Sequence, residues 1–267
     1  DKLSEFAGFN KTAVDLSSWK QLARRDKTDY ARDITIGLVA KYIDNSDTYI
    51  SIVEALKSAS WSQNVDVNIQ WINAEKVDQA DLQAVDGILV PGGFGARGID
   101  GKIASAEFAL GQNKPYLGIC LGLQVAVIAS ARRGGLINAH STEFEPDTTA
   151  DVVYIMDGQQ GKQSTGGTMR LGDYPAKLKP DSLASKCYGK TEIIERHRHR
   201  YEVNQQYLSD IQAGGLEVSG TSPDGKLVEF VEAKDHRFFI ATQAHPEFRS
   251  RPMRPHPLFV EFVKACK

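Results

Sequence analysis

"KPYLGICLGLQVAVIASARR", residues 114–133, carries two patterns that meet at one residue. Tyr116-Leu117-Gly118-Ile119 is an apolar run without polar alternation, as in a strand buried on both faces. "LGLQVAVIASARR" continues as an apolar helix and ends in two arginines before Gly134-Gly135, a helix-stop signal. The join is G-x-C-x-G, Gly118 to Gly122. It has the form of the G-x-S-x-G elbow, a sharp strand-to-helix turn that holds up a nucleophile. The helix N-terminus favours a thiolate at Cys120. The same spacing also fits a small cysteine buried in a sheet core, where free cysteines usually sit.

Working outward, strands and helices alternate. "ITIGLVAKY" reads as a strand, "TYISIVEALKSAS" as a helix, and "VDVNIQWI" as a strand with Val65, Val67, Ile69 and Trp71 on one face. "DQADLQAV" reads as a short helix, "GILVP" as a buried strand and "KIASAEFALGQN" as a helix. This rhythm predicts an α/β fold, a doubly wound, mainly parallel sheet flanked by helices. After about residue 140 strand-like segments dominate: "DVVYIM", "TMRLG", "TEIIERHRHRYEV", "LEVSGTS", "LVEFVEA" and "RFFIATQAH". They predict an additional antiparallel strand region in the C-terminal half, with Asp224-Gly225 as a hairpin turn. "HPLFVEFVKAC" closes the chain as a helix, and the polar "MDGQQGKQSTGG" reads as a mobile surface loop. Residues 1–33 read as a linker or arm with one short helix after an Asp15 or Ser17 cap, and residues 34–267 as the domain.

Composition bounds the class. The chain has 267 residues and a formal net charge of −2, which implies no bulk attraction to nucleic acid or an anionic membrane. A chain this long buries roughly 70–75% of its unfolded surface and needs neither disulfides nor metal to fold. Cys120, Cys187 and Cys266 make no disulfide framework, and Cys187 and Cys266 read as inert. No stretch is long and apolar enough to span a bilayer. "DKLSEFAGFN" lacks a signal-peptide pattern, so a soluble cytoplasmic protein is expected. The acceptor pattern at Asn10 is a pattern only.

A cysteine nucleophile needs a base and a group that orients it. "TQAHPEF" supplies His245 and Glu247 just after an apolar strand, where the carboxyl edge of a parallel sheet builds sites. His245 would take the thiol proton and Glu247 would fix its tautomer. The bland alternative is an exposed histidine beside a solvated acid. No P-C-x-x-C follows, so a zinc deaminase reading is weak.

"PGGFGARG", residues 91–98, contains G-x-G-x-x-G, but the following strand ends in Cys120 rather than an acid, against a dinucleotide loop. Pro91-Gly92-Gly93 suits a tight turn whose N–H groups face a neighbouring oxyanion. "GTSPDGK" has phosphate-loop spacing, but Leu227 stands where Ser or Thr belongs, and "IDGKI" and "QQGKQ" lack the first glycine. "RHRHR", Arg196 to Arg200, reads mainly as a solvated basic edge, though one arginine could clamp a carboxylate. His140, His236 and His256 read as surface residues.

Together "PGGFG", "GICLGLQ" and "HPE", in that order, resemble the class I glutamine amidotransferases. More narrowly, "YLGICLGLQVAVIASAR", "NAHSTEF", "TGGTMRLG", "IIERHRHRYEVN" and "QAHPEFRSRP" resemble the glutaminase domain of the CTP synthase family. They cover most of residues 34–267, and "DLSSWKQL" is similar to that family's interdomain linker. The resemblance implies a Cys120-His245-Glu247 triad, an oxyanion hole from the backbone of Gly93 and Leu121, and a glutamine site of Gly93, Leu121, Gln124, Glu143 and Arg200. An acid for the substrate ammonium and a guanidinium for its carboxylate make chemical sense. It further implies glutamine hydrolysis to glutamate and ammonia through a thioester. The ammonia would serve an amidoligase domain, not in this sequence, that makes CTP from UTP with ATP and Mg²⁺. Activation by GTP, with Arg97 in a lid, a homo-oligomer (tetramer) of the whole enzyme and no metal in this domain are expected with it. On this reading the chain is a fragment able at most to hydrolyse glutamine. Alternatives are the glutaminase of another synthetase, a stand-alone γ-glutamyl cysteine hydrolase, or a catalytically silent binding module.

Overall fold

A computed structural model describes residues 2–9, 15–43, 45–156 and 169–267. The Asn10 pattern and the polar segment after Met156 lie outside the described residues. Helices α1 (Lys2–Phe6) and α2 (Ser17–Arg25) come first, and neither buries a residue. The Asp15 carboxylate accepts from the Ser17 N–H at 2.8 Å, but Leu16 holds the N-cap position of α2 without a side-chain cap, so neither Asp15 nor Ser17 caps the helix as expected.

The alternating half follows as β1 (Asp33–Ala40), α3 (Ile50–Gln63), β2 (Asp66–Asn73), α4 (Gln79–Ala84), β3 (Gly87–Val90), α5 (Ile99–Gln112), β4 (Tyr116–Ile119) and α6 (Leu121–Arg133). The second half contains β5 (Ala139–Ser141), β6 (Ala150–Ile155), β7 (Arg170–Leu178), α7 (Leu183–Tyr188), β8 (Glu192–His199), β9 (Tyr201–Val203), α8 (Leu208–Ala213), β10 (Leu216–Thr221), β11 (Val228–Ala233), β12 (Phe239–Thr242) and α9 (Pro257–Cys266).

The main sheet runs β2-β1-β3-β4-β12-β11-β10-β7-β8. Its first five strands are parallel, and the remaining pairings are antiparallel. The expected α/β class, with its antiparallel extension, is observed. A second sheet, β5-β6-β9, stands beside it.

Burial explains the apolar runs. Ile88, Val90 and Tyr116 pack into one core with residues of α5, α6 and α8. Leu89, Leu117 and Ile119 point the other way, into a core shared with α3, α7 and α9. Period-two alternation between two covered faces leaves no polar positions in β3 or β4. Each fully buried large apolar side chain stabilises the fold by about 1.5–3 kcal/mol. Tyr116 stacks on Phe239 at 4.3 Å and donates its hydroxyl to the Gly122 carbonyl at 2.9 Å, tying the strand to the helix after the elbow.

β1 lies between β2 and β3, so the strand order reverses beside β1. Carboxyl ends next to such a reversal are where open α/β sheets place ligands. Lys41 follows β1, the Pro91-Gly92-Gly93 turn follows β3, Cys120 follows β4 and His245 follows β12.

Two expectations need correction. "RHRHR" is not a uniformly solvated edge. β8 alternates strictly, with Ile193, Glu195, His197 and His199 buried and Ile194, Arg196 and Arg198 exposed. His256 is not a surface residue. It is 5% exposed, pairs with Glu195 at 2.9 Å and caps α9 by accepting from the Leu258 N–H.

Candidate active site

The turn at Cys120 is tight and strained. Its φ of 52° and ψ of −101° place a non-glycine residue at positive φ, which is uncommon outside functional turns. Its N–H donates to the Thr242 carbonyl at 2.7 Å, and its carbonyl accepts from Leu123 at 3.0 Å. The flanking glycines are steric requirements. A Cβ on Gly118 would lie 2.7 Å from the Gly122 carbonyl, and one on Gly122 only 2.2 Å from the Val90 carbonyl. The G-x-C-x-G spacing is thus what lets α6 start directly against β3 and β4.

His245 approaches from β12. Its N–H donates to the Arg196 carbonyl at 2.7 Å, so β8 anchors it from the antiparallel half. Its Nδ1–H donates to Glu247 Oε1 at 2.7 Å, and its ring stacks on Phe248. That bond leaves Nε2 as the nitrogen free to serve Cys120. Burial of the ring favours the neutral form. The Cys120 charge, the hydrogen bond to Cys120 and the Glu247 carboxylate together outweigh it, and the pKa is pushed up to about 10. The ring is therefore held as the imidazolium. Cys187, by contrast, is pushed up to about 12 by burial, and burial also raises Cys266.

The glycine turn closes over both groups. A Cβ built on Gly92 would meet His245 Cε1 at 2.8 Å and Cys120 Cβ at 3.5 Å, and one on Gly93 would meet Leu121 Cδ2 at 3.4 Å. A cavity of about 250 Å³ opens here, lined by Pro91, Gly93, Phe94, Arg198 and His245 among others.

The other expected residues gather on the same side. Gln124 is buried on the first turn of α6, where its Nε2 donates to the Tyr201 carbonyl at 3.2 Å and Gln243 Oε1 at 3.4 Å. Glu143 follows β5 and accepts from the Gly95 N–H at 2.8 Å. Burial raises its pKa, while that hydrogen bond and the charges of Lys41 and Arg200 oppose the rise. Arg200 sits at the break between β8 and β9, within electrostatic reach of Glu143 and Tyr201. Arg97 turns elsewhere. It pairs with Glu75 at 3.1 Å and covers the Tyr42 ring.

Sequence reading missed several groups. Gln243, two residues before His245, donates Nε2 to Cys120 Sγ at 3.7 Å. Behind β8 lies a buried ionic cluster. Arg170 pairs with Glu229 at 2.6 Å and Glu202 at 3.8 Å, with His197 and His199 3.0 Å apart. Burial first, then the Arg170 charge, lowers these histidines to about 2 and about 3, so both are neutral. The period-two alternation of "IIERHRH" was the signal for them. Lys41 and Lys102, both buried, were also missed. Ile99, Lys102, Ile103 and Ala106 fall on one helical stripe, which marks Lys102 as inward-facing.

A strained cysteine elbow, a histidine–glutamate pair and a glycine turn meet at the carboxyl edge of a parallel sheet. The family model described as glutamine amidotransferase class-I matches residues 44–265, and the chain belongs to that family. Within it the chain groups with the glutaminase domains of CTP synthases. It is 49% identical to the CTP synthase of Geobacillus kaustophilus, over 98% of this chain and 50% of that protein. It is 48% identical to the CTP synthase of Methanococcus maripaludis, over 98% of this chain and 51% of that protein. The chain thus spans about half the length of the curated relatives it matches. Among solved structures, the glutaminase domain of Trypanosoma brucei CTPS with bound acivicin superposes with a TM-score of 0.81 and 39% identity. That match covers 87% of this chain and 93% of that one. A Thermotoga maritima glutamine amidotransferase, at 11% identity and a TM-score of 0.51, shares the fold. Among the described residues no helix is long and apolar enough to cross a membrane.

Proposed function

We propose that this chain hydrolyses L-glutamine with Cys120, His245 and Glu247 as a catalytic triad. The Cys120 thiolate attacks the side-chain amide carbon. The resulting oxyanion is met by the N–H groups of Gly93 and Leu121. The His245 imidazolium gives its proton to the leaving nitrogen, which departs as ammonia and leaves a γ-glutamyl thioester. His245, now neutral, takes a proton from water as it attacks the thioester. Glutamate leaves and the thiolate returns. Glu247 holds the Nδ1 proton throughout. Glu143 receives the substrate ammonium and Arg200 its carboxylate, which selects the free amino acid, while Gln124 supports the side-chain end of the site. The observation that carries this reading is the strained Cys120 turn facing a histidine fixed by Glu247 at 2.7 Å.

The half-length match to CTP synthases supports a further assignment. Residues 34–267 form the glutaminase unit, and residues 1–33, whose helices bury nothing, form the linker arm. The ammonia would pass to an amidoligase portion of the same polypeptide that converts UTP to CTP with ATP and Mg²⁺. The whole enzyme would be a tetramer responsive to GTP, with Arg97 in the responding loop and no metal held by this domain.

The test is a glutamine-analogue electrophile such as acivicin, followed by peptide mass spectrometry. Labelling confined to Cys120 and blocked by glutamine is expected. No labelling, or equal labelling of Cys187 and Cys266, refutes the reading.

A further inference from the structure

Two buried ammonium groups hold the glycine turn from beneath. Lys102, on the first turn of α5, is 0% exposed, and its Nζ donates to the Pro91 carbonyl at 3.3 Å. Lys41, just after β1, is also buried. Its Nζ donates to the Gly95 carbonyl at 2.7 Å and to the Phe94 carbonyl. From a Cβ position built on Gly93, Lys102 Nζ is 3.7 Å away and Lys41 Cε 3.8 Å. The two side chains therefore converge on the residue between the carbonyls they hold.

This arrangement is expensive for the fold. An ammonium taken out of water is strongly disfavoured unless it is well paired, and Lys102 has one carbonyl partner at the long end of hydrogen bonding. Burial first, then the Lys41 charge, lowers its pKa to about 7, with the Cys120 charge opposing. A methionine would fill the same space without that penalty. The apolar stripe of α5, with Ile99, Ile103 and Ala106 around it, gives no packing reason for a lysine.

The peptide planes supply the reason. The Pro91–Gly92 plane is fixed through its carbonyl by Lys102. The Phe94–Gly95 plane is fixed at both ends, its carbonyl by Lys41 and its N–H by Glu143. The Gly93 N–H sits between two immobilised planes, in a segment whose glycines would otherwise leave it free to turn. We propose that Lys102 and Lys41 are positioning residues of the oxyanion turn. They hold its carbonyls so that the Gly93 N–H stays aimed at the oxyanion formed on Cys120. This rests on the glutaminase reading above and deepens it.

The experiment uses the purified chain with Lys102→Met and, separately, Lys41→Met. For each, kcat and KM for glutamine are measured, with the inhibition constants of L-glutamate and L-glutamate γ-semialdehyde. The aldehyde adds the thiolate to give a hemithioacetal with an oxyanion; glutamate makes none. Removing a direct oxyanion donor lowers kcat by about 10²–10³. Loosening the donor in Lys102→Met is expected to lower kcat by roughly 10- to 100-fold, with aldehyde affinity falling in parallel. KM and glutamate affinity should stay within about threefold, and the melting temperature should not fall. Lys41→Met should show the same split. Unchanged kcat and aldehyde affinity in both variants overturns the proposal, as does loss of glutamate affinity and thermal stability in step with kcat. If the parent chain neither hydrolyses glutamine nor reacts with the electrophile at Cys120, the glutaminase reading itself has failed, and this proposal falls with it.

Discussion

Gly92→Ala adds one methyl group to the centre of the site. Gly92 is not in the left-handed region, so alanine brings no backbone strain of its own. The new Cβ would lie 2.8 Å from His245 Cε1. Carbon atoms rest at about 3.5–4.0 Å, so the ring or the turn must yield by roughly 1 Å. The ring has little room, because Phe248 stacks on it and Glu247 holds Nδ1 at 2.7 Å. The turn is equally constrained by Lys41 and Lys102. Whichever moves, either the His245 ring leaves Cys120 or the Gly93 N–H leaves the place the proposed reaction gives to the oxyanion. A misplacement of about 1 Å costs about 10²-fold in rate, or about 2.7 kcal/mol of barrier. The assay is glutamate release from glutamine by the purified variant, beside thermal unfolding by circular dichroism. The expected result is a kcat lowered by about 10² with a melting temperature within about 4 °C of the parent. A kcat within threefold of the parent, at the same stability, would refute the close packing of Gly92, His245 and Cys120 on which the site description depends.

Two further outcomes follow from the charge states. In the parent chain, NMR of labelled histidine should find His245 protonated up to about pH 10. In Cys120→Ala the sulfur is gone and the ring should lose its proton at lower pH; an unchanged titration would mean that Cys120 does not face it. His197 and His199 stay neutral in the fold but take protons near pH 6.5 when unfolded. The unfolded chain therefore binds more protons below about 6.5, and stability falls as pH drops from there toward about 3. Glu202 and Glu229, raised by burial, act with opposite sign above their ordinary range, so the comparison is variant against parent. The difference in urea midpoint between pH 7 and pH 5 should shrink in His199→Gln, and an equal difference would count against a buried neutral histidine.

The parallel half was legible because its strands are covered on both faces. A run such as "GILV" or "YLGI" admits few other readings when helices flank it. The cysteine elbow was legible because close packing of α6 on β3 and β4 forces glycine at 118 and 122, and that demand is written into the spacing. What escaped depended on partners far away in sequence. His256 reads as exposed until Glu195 is brought to it across 61 positions. The basic composition of "RHRHR" obscured its alternation, which sends arginines out and histidines in. The elements α7, α8 and β5 are only six, six and three residues long, too short for a periodic signal to stand out. Lys102 lay on an apolar stripe, but a lysine there looks like a solvated neighbour until the carbonyl it meets is known.

The backbone bonds that place Cys120 and His245 divide the site by stability. Cys120 N–H is bonded to the Thr242 carbonyl of β12 and His245 N–H to the Arg196 carbonyl of β8, so both residues are tied to strands of the main sheet by backbone hydrogen bonds. Amides of that kind exchange with solvent only through large-scale opening. Among the described residues the glycine turn has no backbone partner in a strand and is secured by the side-chain ends of Lys41, Lys102 and Glu143 instead. Under mild denaturant, heat or a bound effector, the reactive pair would outlast the turn. The chain would then pass through a state in which Cys120 still reacts with a small alkylating agent but no longer accelerates an acyl transfer. Hydrolysis would fail before thiol reactivity, and the gap between the two measures how much of the catalyst is sheet and how much is loop.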